Sequence, residues 1–362
     1  MEVWEKVYVS DATFLTNVHN TANCIGCHGG VGGTDDKAQA HEGVVRDPTT
    51  DPQRVCGTCH ADIVKAASTS LHYAIQGYRT ILGARGADFS SPAMAEAFQN
   101  HCTECHTTCG QCHVSRPTYS EGGLIKGHQF KKVASISLTC LACHGGRVGP
   151  EYQGKYEGVS GDVHWTKGGM PCLECHDVAQ YHGDGTEYAH RYDGPAVPNC
   201  LDCHKDVEGG KDGVTQHAIH GQKVACQVCH SAGPYKTCYG CHVGKDAEGL
   251  PYRKTEPTQY EFKIGRNPLK SAERPWDYVL LRHVPVARDT FAYYGENLLP
   301  TFDAVPTWKY ATPHNIQRIT PQNRDCNACH GQKGLFLTVD DVLPDEREAN
   351  RSVLVEEVPA AR

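Results

Sequence analysis

The clearest helical pattern in the chain lies between residues 61 and 83. Its apolar side chains recur at three- and four-residue steps, which predicts one helix with an apolar face. A second helix is predicted to begin at Ser91-Pro92, because Ser is a favoured cap and Pro is favoured at the first helical position. The apolar face of the first helix consists of Val64, Ala67, Leu71, Ile75, Tyr78 and Leu82.

Outside these segments the apolar pattern is short and interrupted. The 37 glycines and 20 prolines among 362 residues favour loops and turns. Gln259–Ile264 alternates apolar and polar side chains, which predicts extended backbone. No apolar run approaches the roughly 18 residues of a membrane span. We therefore expect mostly loops with short α-helices, little β structure and no membrane span.

All 20 cysteines belong to ten Cys-x-x-Cys-His motifs. The chain between His101 and His113, HCTECHTTCGQCH, carries two of them separated by only two threonines. The motif cysteines are Cys24, Cys27, Cys56, Cys59, Cys102, Cys105, Cys109, Cys112, Cys140, Cys143, Cys172, Cys175, Cys200, Cys203, Cys226, Cys229, Cys238, Cys241, Cys326 and Cys329. The motif histidines are His28, His60, His106, His113, His144, His176, His204, His230, His242 and His330.

This motif is the attachment signature of c-type haem, in which both thiols add to the vinyl groups and the His ligates the iron. Zinc is the alternative, since Cys-x-x-Cys also builds zinc ribbons. Histidine occupies 22 of 362 positions, so ten chance histidines after ten motifs have a probability on the order of 10⁻¹². The sequence predicts ten covalently bound haem c groups. Motifs as close as those in His101–His113 place haems nearly side by side, which suits electron transfer between them.

Twelve further histidines are candidates for the distal iron ligand, and ten irons need one each. An iron held by two histidines has no open position for a substrate, so this count favours electron transfer. One haem with an open position or with a Lys ligand remains an alternative. The candidates are His19, His41, His72, His101, His128, His164, His182, His190, His217, His220, His283 and His314.

Several candidates carry individual expectations. His101 is predicted to point towards haem from the face that it shares with Cys102. His217 and His220 are three residues apart and share a helical face, so they serve two haems, or one of them binds a propionate. His19 lies near the N-terminus and is a natural ligand for a neighbour's haem if the protein polymerises. His41 and His128, each beside a glycine, are loop-borne ligands or surface histidines.

The motif positions divide the chain into four segments of one integrated unit. Residues 1–242 carry nine motifs, and residues 243–325 form a haem-free cover rich in proline and aromatic residues, from which His283 and His314 project as ligands. Residues 326–337 carry the tenth motif. Residues 338–362 form an acidic tail, either disordered or docked on a neighbouring subunit through its apolar run.

The composition limits the setting and the partners. Hydrophobic residues make up 39% of the chain, below the ordinary level of roughly 45–50%, so we expect the haem-free chain to be unfolded. The net charge is −7 without a basic stripe, which disfavours nucleic acid as a partner. Covalent haem attachment takes place outside the cytoplasm, whereas the first ten residues have no apolar signal core. We expect an exported protein whose signal peptide has been removed.

The chain resembles exported multihaem cytochromes c related to octahaem tetrathionate reductase and hydroxylamine oxidoreductase. The resemblance is carried by His101–Pro117, Asp162–His176 and Pro313–His330, within residues 56–330. It implies haem-rich packing with short helices. Enzymes of this group have eight haems, one of them with Lys or no protein ligand on its distal side. This chain has ten motifs, and the sequence does not locate such a site.

Together these features predict a decahaem cytochrome that carries electrons by hopping between haems. The expected location is extracellular or at the cell surface, with the periplasm as the alternative. Expected partners are other cytochromes, identical subunits stacked into a conductive filament, or a mineral or other extracellular acceptor. The alternative function is the reduction of a small nitrogen or sulfur oxyanion at one open haem.

Overall fold

The computed structural model describes most of the chain, with seven gaps. The described residues are 2, 5, 12–103, 106–194, 197–231, 240–256, 262–284 and 286–362. Only the backbone is described for residues 240–242 and 253–256. Cys105 and Cys238 therefore lie outside the described residues, and so do the side chains of Cys241 and His242. The same holds for residues 259–261, the first half of the stretch Gln259–Ile264.

Short helices dominate the described part of the chain. Their small size follows from the dense Gly, Pro and motif positions, which leave few uninterrupted stretches for a helix to extend through. The α-helices are Asn23–His28, Lys37–Ala40, Ala61–Ala67, Leu71–Ala74, Gln76–Ala84, Pro92–His101, Cys109–His113, Leu141–His144, Val148–Gln153, Val163–Thr166, Val178–His182, Cys200–Cys203, Thr215–His220, Cys226–His230 and Arg347–Asn350. The ten residues of Pro92–His101 make the longest of them, and none of the helices described could cross a membrane.

The strands lie in the later part of the chain and form two small antiparallel sheets. The first is a hairpin in which β1 (Gly240–Lys245) pairs with β2 (Pro251–Glu256). In the second, β4 (Tyr278–His283) lies between β3 (Lys263–Arg266) and β5 (Trp308–Tyr310). Burial alternates along β5, and Val279, Leu280 and Leu281 of β4 are all buried. The central strand is therefore covered on both faces.

Contacts divide the chain into two compact units. The first unit comprises Met1–Tyr78, Cys102–Gly145 and His176–Val197. The second comprises Arg79–His101, Gly146–Cys175 and Pro198–Arg362. The second unit contains an apolar core in which Met94 and Leu299 are completely buried. From the sequence we predicted one integrated unit, in which the haem-free residues 243–325 separate the first nine motifs from the tenth.

The helix predicted for residues 61–83 is divided into three short helices. The first ends at Ala67, and Ser70 then caps Leu71–Ala74 by accepting a hydrogen bond from the Tyr73 N–H. Ile75 has φ of 45°, a left-handed conformation that ends this second helix. Ser and Thr side chains compete with helical hydrogen bonds, which explains why the apolar pattern alone overestimated the helix. The second predicted helix does begin at Pro92.

The acidic tail is ordered and belongs to the second unit, contrary to the expectation of disorder or docking on a neighbouring subunit. Val353 is completely buried and Val355 is 3% exposed. The Val355 N–H donates to the Leu337 carbonyl at 2.8 Å. The short apolar run thus completes the core of its own chain, because burial of these side chains offsets the cost of ordering the tail.

A buried polar cluster joins the tail to the three-stranded sheet. Glu346 Oε2 lies 3.0 Å from His283 Nε2 and accepts a hydrogen bond from the Thr307 hydroxyl at 2.8 Å. Asn350 donates to the same hydroxyl and accepts from the Trp308 N–H. Buried polar groups joined in this way depend on one another, since each is costly to leave without a partner.

Replacement of Glu346 by Ala is therefore expected to lower the stability of the folded protein by about 3 kcal/mol or more. The change leaves His283 and Thr307 buried without their acceptor. The control is Glu348→Ala, since Glu348 is exposed and its ion pair with Arg351 is also exposed, so little change is expected. Thermal unfolding followed by circular dichroism compares the two, and equal midpoints would contradict the assigned role of the cluster.

The polypeptide has a larger accessible surface than a folded protein of the same mass usually has. Its accessible surface is 20571 Å², whereas a folded protein of 39.6 kDa exposes about 14,000 Å². The excess of about 6,000 Å² corresponds to roughly 600 Å² for each Cys-x-x-Cys-His motif. Packing of the polypeptide on itself leaves this surface accessible.

Candidate haem-binding sites

The Cys-x-x-Cys-His motifs lie mostly on single helical turns. Asn23–His28, Cys109–His113, Cys200–Cys203 and Cys226–His230 are examples in α-helix. Residues three and four apart share a helical face, so one turn brings both thiols and the following imidazole to one side. The second, sixth and tenth motifs begin with the 3₁₀ turns Cys56–Thr58, Cys172–Glu174 and Cys326–Ala328.

The ninth motif differs from this pattern. Cys241 and His242 lie in the backbone of β1, where they pair with Thr255 and Lys254. The sequence predicted a short helix at each motif, and the structure differs here.

Seven motif histidines face one of the predicted distal histidines. The distances between ring centroids are 6.0–6.4 Å in every pair. The first unit contains the pairs His28–His128, His60–His19, His144–His72 and His113–His182. The second unit contains the pairs His204–His164, His230–His217 and His330–His220.

This separation is the one expected for two imidazoles bound to the same iron. An iron–nitrogen bond of about 2.0 Å and about 1.1 Å from that nitrogen to the ring centre give about 6.2 Å across the metal. Aromatic rings in direct contact have centroids roughly 4.5–7 Å apart. The distinguishing feature of the seven pairs is that each joins one motif His to one predicted distal His.

Hydrogen bonds orient many of these rings through Nδ1, which leaves Nε2 as the atom that can bind iron. His28, His113, His230 and His330 each place Nδ1 within 2.6–3.1 Å of a backbone carbonyl oxygen. His220 does the same with the Gln216 carbonyl. A metal-binding His commonly donates its second N–H in this way, which fixes the tautomer and the ring orientation.

Two predicted ligands share one short helix and face different motifs. His217 and His220 both lie on Thr215–His220. His217 faces His230 of the eighth motif, and His220 faces His330 of the tenth. This arrangement agrees with the first alternative from the sequence, in which His217 and His220 are ligands of two different haems. The three-residue spacing allows this arrangement because it places both rings on one face of the helix.

Burial keeps several predicted distal histidines in the neutral form that metal binding requires. Burial, and then the nearby His144, lower the pKa of His72 to about 4. Burial also lowers the pKa of His19, His128 and His182, with the facing motif His as a further cause in each case. The ring of His19 lies 6.4 Å from that of His60 in its own chain, whereas the sequence suggested a neighbour's haem in the case that the protein polymerises.

Thiols of neighbouring motifs approach one another. A hydrogen bond between Cys56 and Cys109 raises the pKa of Cys56 and lowers the pKa of Cys109 to about 7. The same contact between Cys200 and Cys226 raises the pKa of Cys200 and lowers that of Cys226. The second motif thus adjoins the fourth, and the seventh adjoins the eighth. All the cysteines whose side chains are described are free thiols.

Five predicted distal histidines lie in other surroundings. His101 Nε2 is 2.6 Å from the Tyr294 hydroxyl, and His283 Nε2 contacts Glu346. His41 and His314 contact the backbone carbonyls of Lys37 and Thr312 through Nδ1, so they present Nε2 as the paired ligands do. His190 is exposed. The structure therefore places His101 and His283 within polar contacts of the second unit, where the sequence predicted iron ligands.

Two motif histidines have neighbours of another kind. The His106 ring lies 4.7 Å from the Tyr73 ring, too close for a metal atom between them. His176 Nδ1 lies 2.8 Å from Gln180 Oε1. Neither Tyr73 nor Gln180 could be predicted from the sequence, because an aromatic or amide side chain beside a motif has no characteristic spacing.

No group of three or more His, Cys, Asp or Glu side chains that could hold one metal ion occurs among the described residues. Haem supplies four nitrogen ligands itself, so the protein needs to provide two axial imidazoles and the attachment thiols. The facing pairs and the motif cysteines provide these groups.

Comparison of the chain with protein-family models, with curated proteins and with solved structures finds no match.

Proposed function

We propose that this chain is a decahaem c-type cytochrome that carries electrons between haems outside the cytoplasm. The observation that carries the proposal is the set of seven facing imidazole pairs, each joining one motif His to one predicted distal His. The seven centroid separations lie within 0.4 Å of one another. Two axial imidazoles at this distance are the donors of a low-spin iron that exchanges electrons and leaves no position for substrate.

The residues of the chain have three roles in this proposal. The motif thiols hold each haem covalently, and the thiol contact between Cys56 and Cys109 brings the haems of two motifs close together. The facing imidazoles of each pair would hold the iron of that haem through one nitrogen each. Haem supplies the one-electron chemistry, and the protein sets each potential through ligands, burial and nearby charge.

Intact mass measurement under denaturing conditions tests the proposal. A covalent decahaem protein retains the mass of ten haems after denaturation, whereas a zinc protein loses its metal and shows the mass of the polypeptide alone. The expected result is ten haem increments, together with the absorption spectrum of low-spin haem c. A purified native chain with the polypeptide mass would overturn the assignment.

The alternative proposal is a reductase of a small nitrogen or sulfur oxyanion. The observation that favours it is the third motif, where His106 lies beside Tyr73 at a distance that excludes a shared metal. A high-spin ferric signal that changes on addition of nitrite, sulfite or hydroxylamine supports the enzyme. Polymerisation into a filament is compatible with electron transport, and electron microscopy of native material distinguishes filaments from monomers.

A further inference from the structure

Two predicted distal histidines, His19 and His164, are held by the same local geometry, but the side chain that contacts the ring is neutral in one case and charged in the other. Asn17 Oδ1 accepts from the His19 backbone N–H at 3.0 Å and lies 2.8 Å from His19 Nδ1. Asp162 Oδ1 accepts from the His164 N–H at 2.9 Å and lies 2.8 Å from His164 Nδ1. Both caps precede the His by two residues, with one Val between them. The ring is therefore oriented alike by a neutral amide in one case and by a carboxylate in the other.

A second carboxylate contacts the distal His of the eighth motif. Asp212 Oδ2 lies 2.6 Å from His217 Nδ1. The partner ring, His230, instead contacts the neutral Gln317 carbonyl at 3.0 Å. In the tenth motif both rings contact backbone carbonyls, those of Gln216 and Ala360. The facing pairs thus differ in the charge of the group that accepts from the axial imidazole.

We propose that Asp162 and Asp212 are positioning residues that lower the reduction potentials of the haems at the seventh and eighth motifs. A carboxylate acceptor makes the imidazole a more basic ligand. A more basic ligand stabilises the more positive ferric iron over ferrous iron, which lowers the potential. The haem of the second motif, whose distal His19 contacts the neutral Asn17, is the counterpart with the higher potential. This inference depends on the proposed function, because it requires haem at these motifs.

The seventh, eighth and tenth motifs lie close to one another, so a difference in potential between their haems would matter for electron flow. The side chains of Cys200 and Cys226 are in contact, so haems attached at the seventh and eighth motifs would be neighbours. The side chain of Cys229 in the eighth motif also lies near that of Cys329 in the tenth. Both rings of the tenth motif have neutral acceptors, so a haem held there would have a higher potential than the haems beside Asp162 and Asp212.

Reciprocal substitutions in the haem-loaded protein test the proposal. Asp212→Asn removes the charge and is expected to raise the potential of one haem in ten, with about a tenfold change in its ferric-to-ferrous ratio at a fixed electrode potential, or about 59 mV. Asn17→Asp adds the charge and is expected to lower the potential of one haem by a similar amount. Redox titration of the haem absorption band measures the shifts, and electron paramagnetic resonance reports the altered ligand field of one low-spin haem.

Glu208→Gln is the matched control for Asp212→Asn. Glu208 lies in the same loop, is exposed and pairs with Lys211 at 3.2 Å, so it loses the same charge without a contact to the imidazole. A shift in this variant equal to that of Asp212→Asn would overturn the role of the hydrogen bond. Asp162→Asn is a less clean test, because Asp162 also accepts from the Ile316 N–H.

The outcomes separate this inference from the proposed function. Absence of covalent haem from the purified chain overturns both. Ten low-spin haems with unchanged midpoints in Asp212→Asn and Asn17→Asp overturn only the roles of Asp162 and Asp212. Opposite shifts of one haem in the two variants, with Glu208→Gln unchanged, support the inference.

Discussion

A chain produced without haem attachment is expected to be unfolded, with the loss of the whole folding free energy of about 5–15 kcal/mol. The described α-helices have at most ten residues, and isolated helices shorter than about 12–15 residues are marginal in water. The polypeptide also leaves about 6,000 Å² more surface accessible than a protein of its mass. Far-UV circular dichroism and the rate of proteolysis of the haem-free chain measure this effect.

The control for this prediction removes one haem only. In Cys326→Ala/Cys329→Ala the tenth haem loses its covalent attachment while nine motifs remain intact. We expect this variant to stay folded, with increased proteolysis near the tenth motif. A haem-free chain that resists proteolysis and keeps its helical signal would contradict a haem-dependent fold, since the polypeptide core would then be sufficient.

Replacement of His72 by Gly is expected to convert one haem in ten from low-spin to high-spin. His72 is largely buried and faces His144 at 6.3 Å between ring centroids, so its loss opens the sixth position of the iron at the fifth motif. The potential of that haem is expected to rise by on the order of 0.1 V, within the range of about 0.8 V that axial ligands cover. Electron paramagnetic resonance detects the new high-spin ferric signal.

Added imidazole and a neighbouring substitution control for indirect effects. Imidazole fits the space left by the side chain and is expected to restore the low-spin signal. Tyr181→Leu changes a ring that lies 5.4 Å from His72 but adds and removes no ligand, so all ten haems are expected to stay low-spin. An unchanged spectrum in His72→Gly would show that His72 does not bind iron.

The sequence by itself determined the motifs and the short helices, since both depend on local chemistry. One helical turn joins the thiols to the adjacent His, and Pro92 begins a helix because its fixed φ suits that position. The sequence also supplied the distal candidates, through the number of histidines outside the motifs. The apolar pattern was misleading at Ser70, whose cap divides the predicted helix, and composition was misleading at the acidic tail, whose Val353 enters the core.

Only the tertiary structure decided which histidines face each other. His28 and His128 are distant in the chain, and so are His220 and His330, yet each pair has the same separation. No local pattern encodes such pairings, because they depend on how loops and short helices fold around a common centre. The same reason applies to His283, which the fold places against Glu346, and to Asp212, whose effect on His217 requires a contact that spacing alone does not specify.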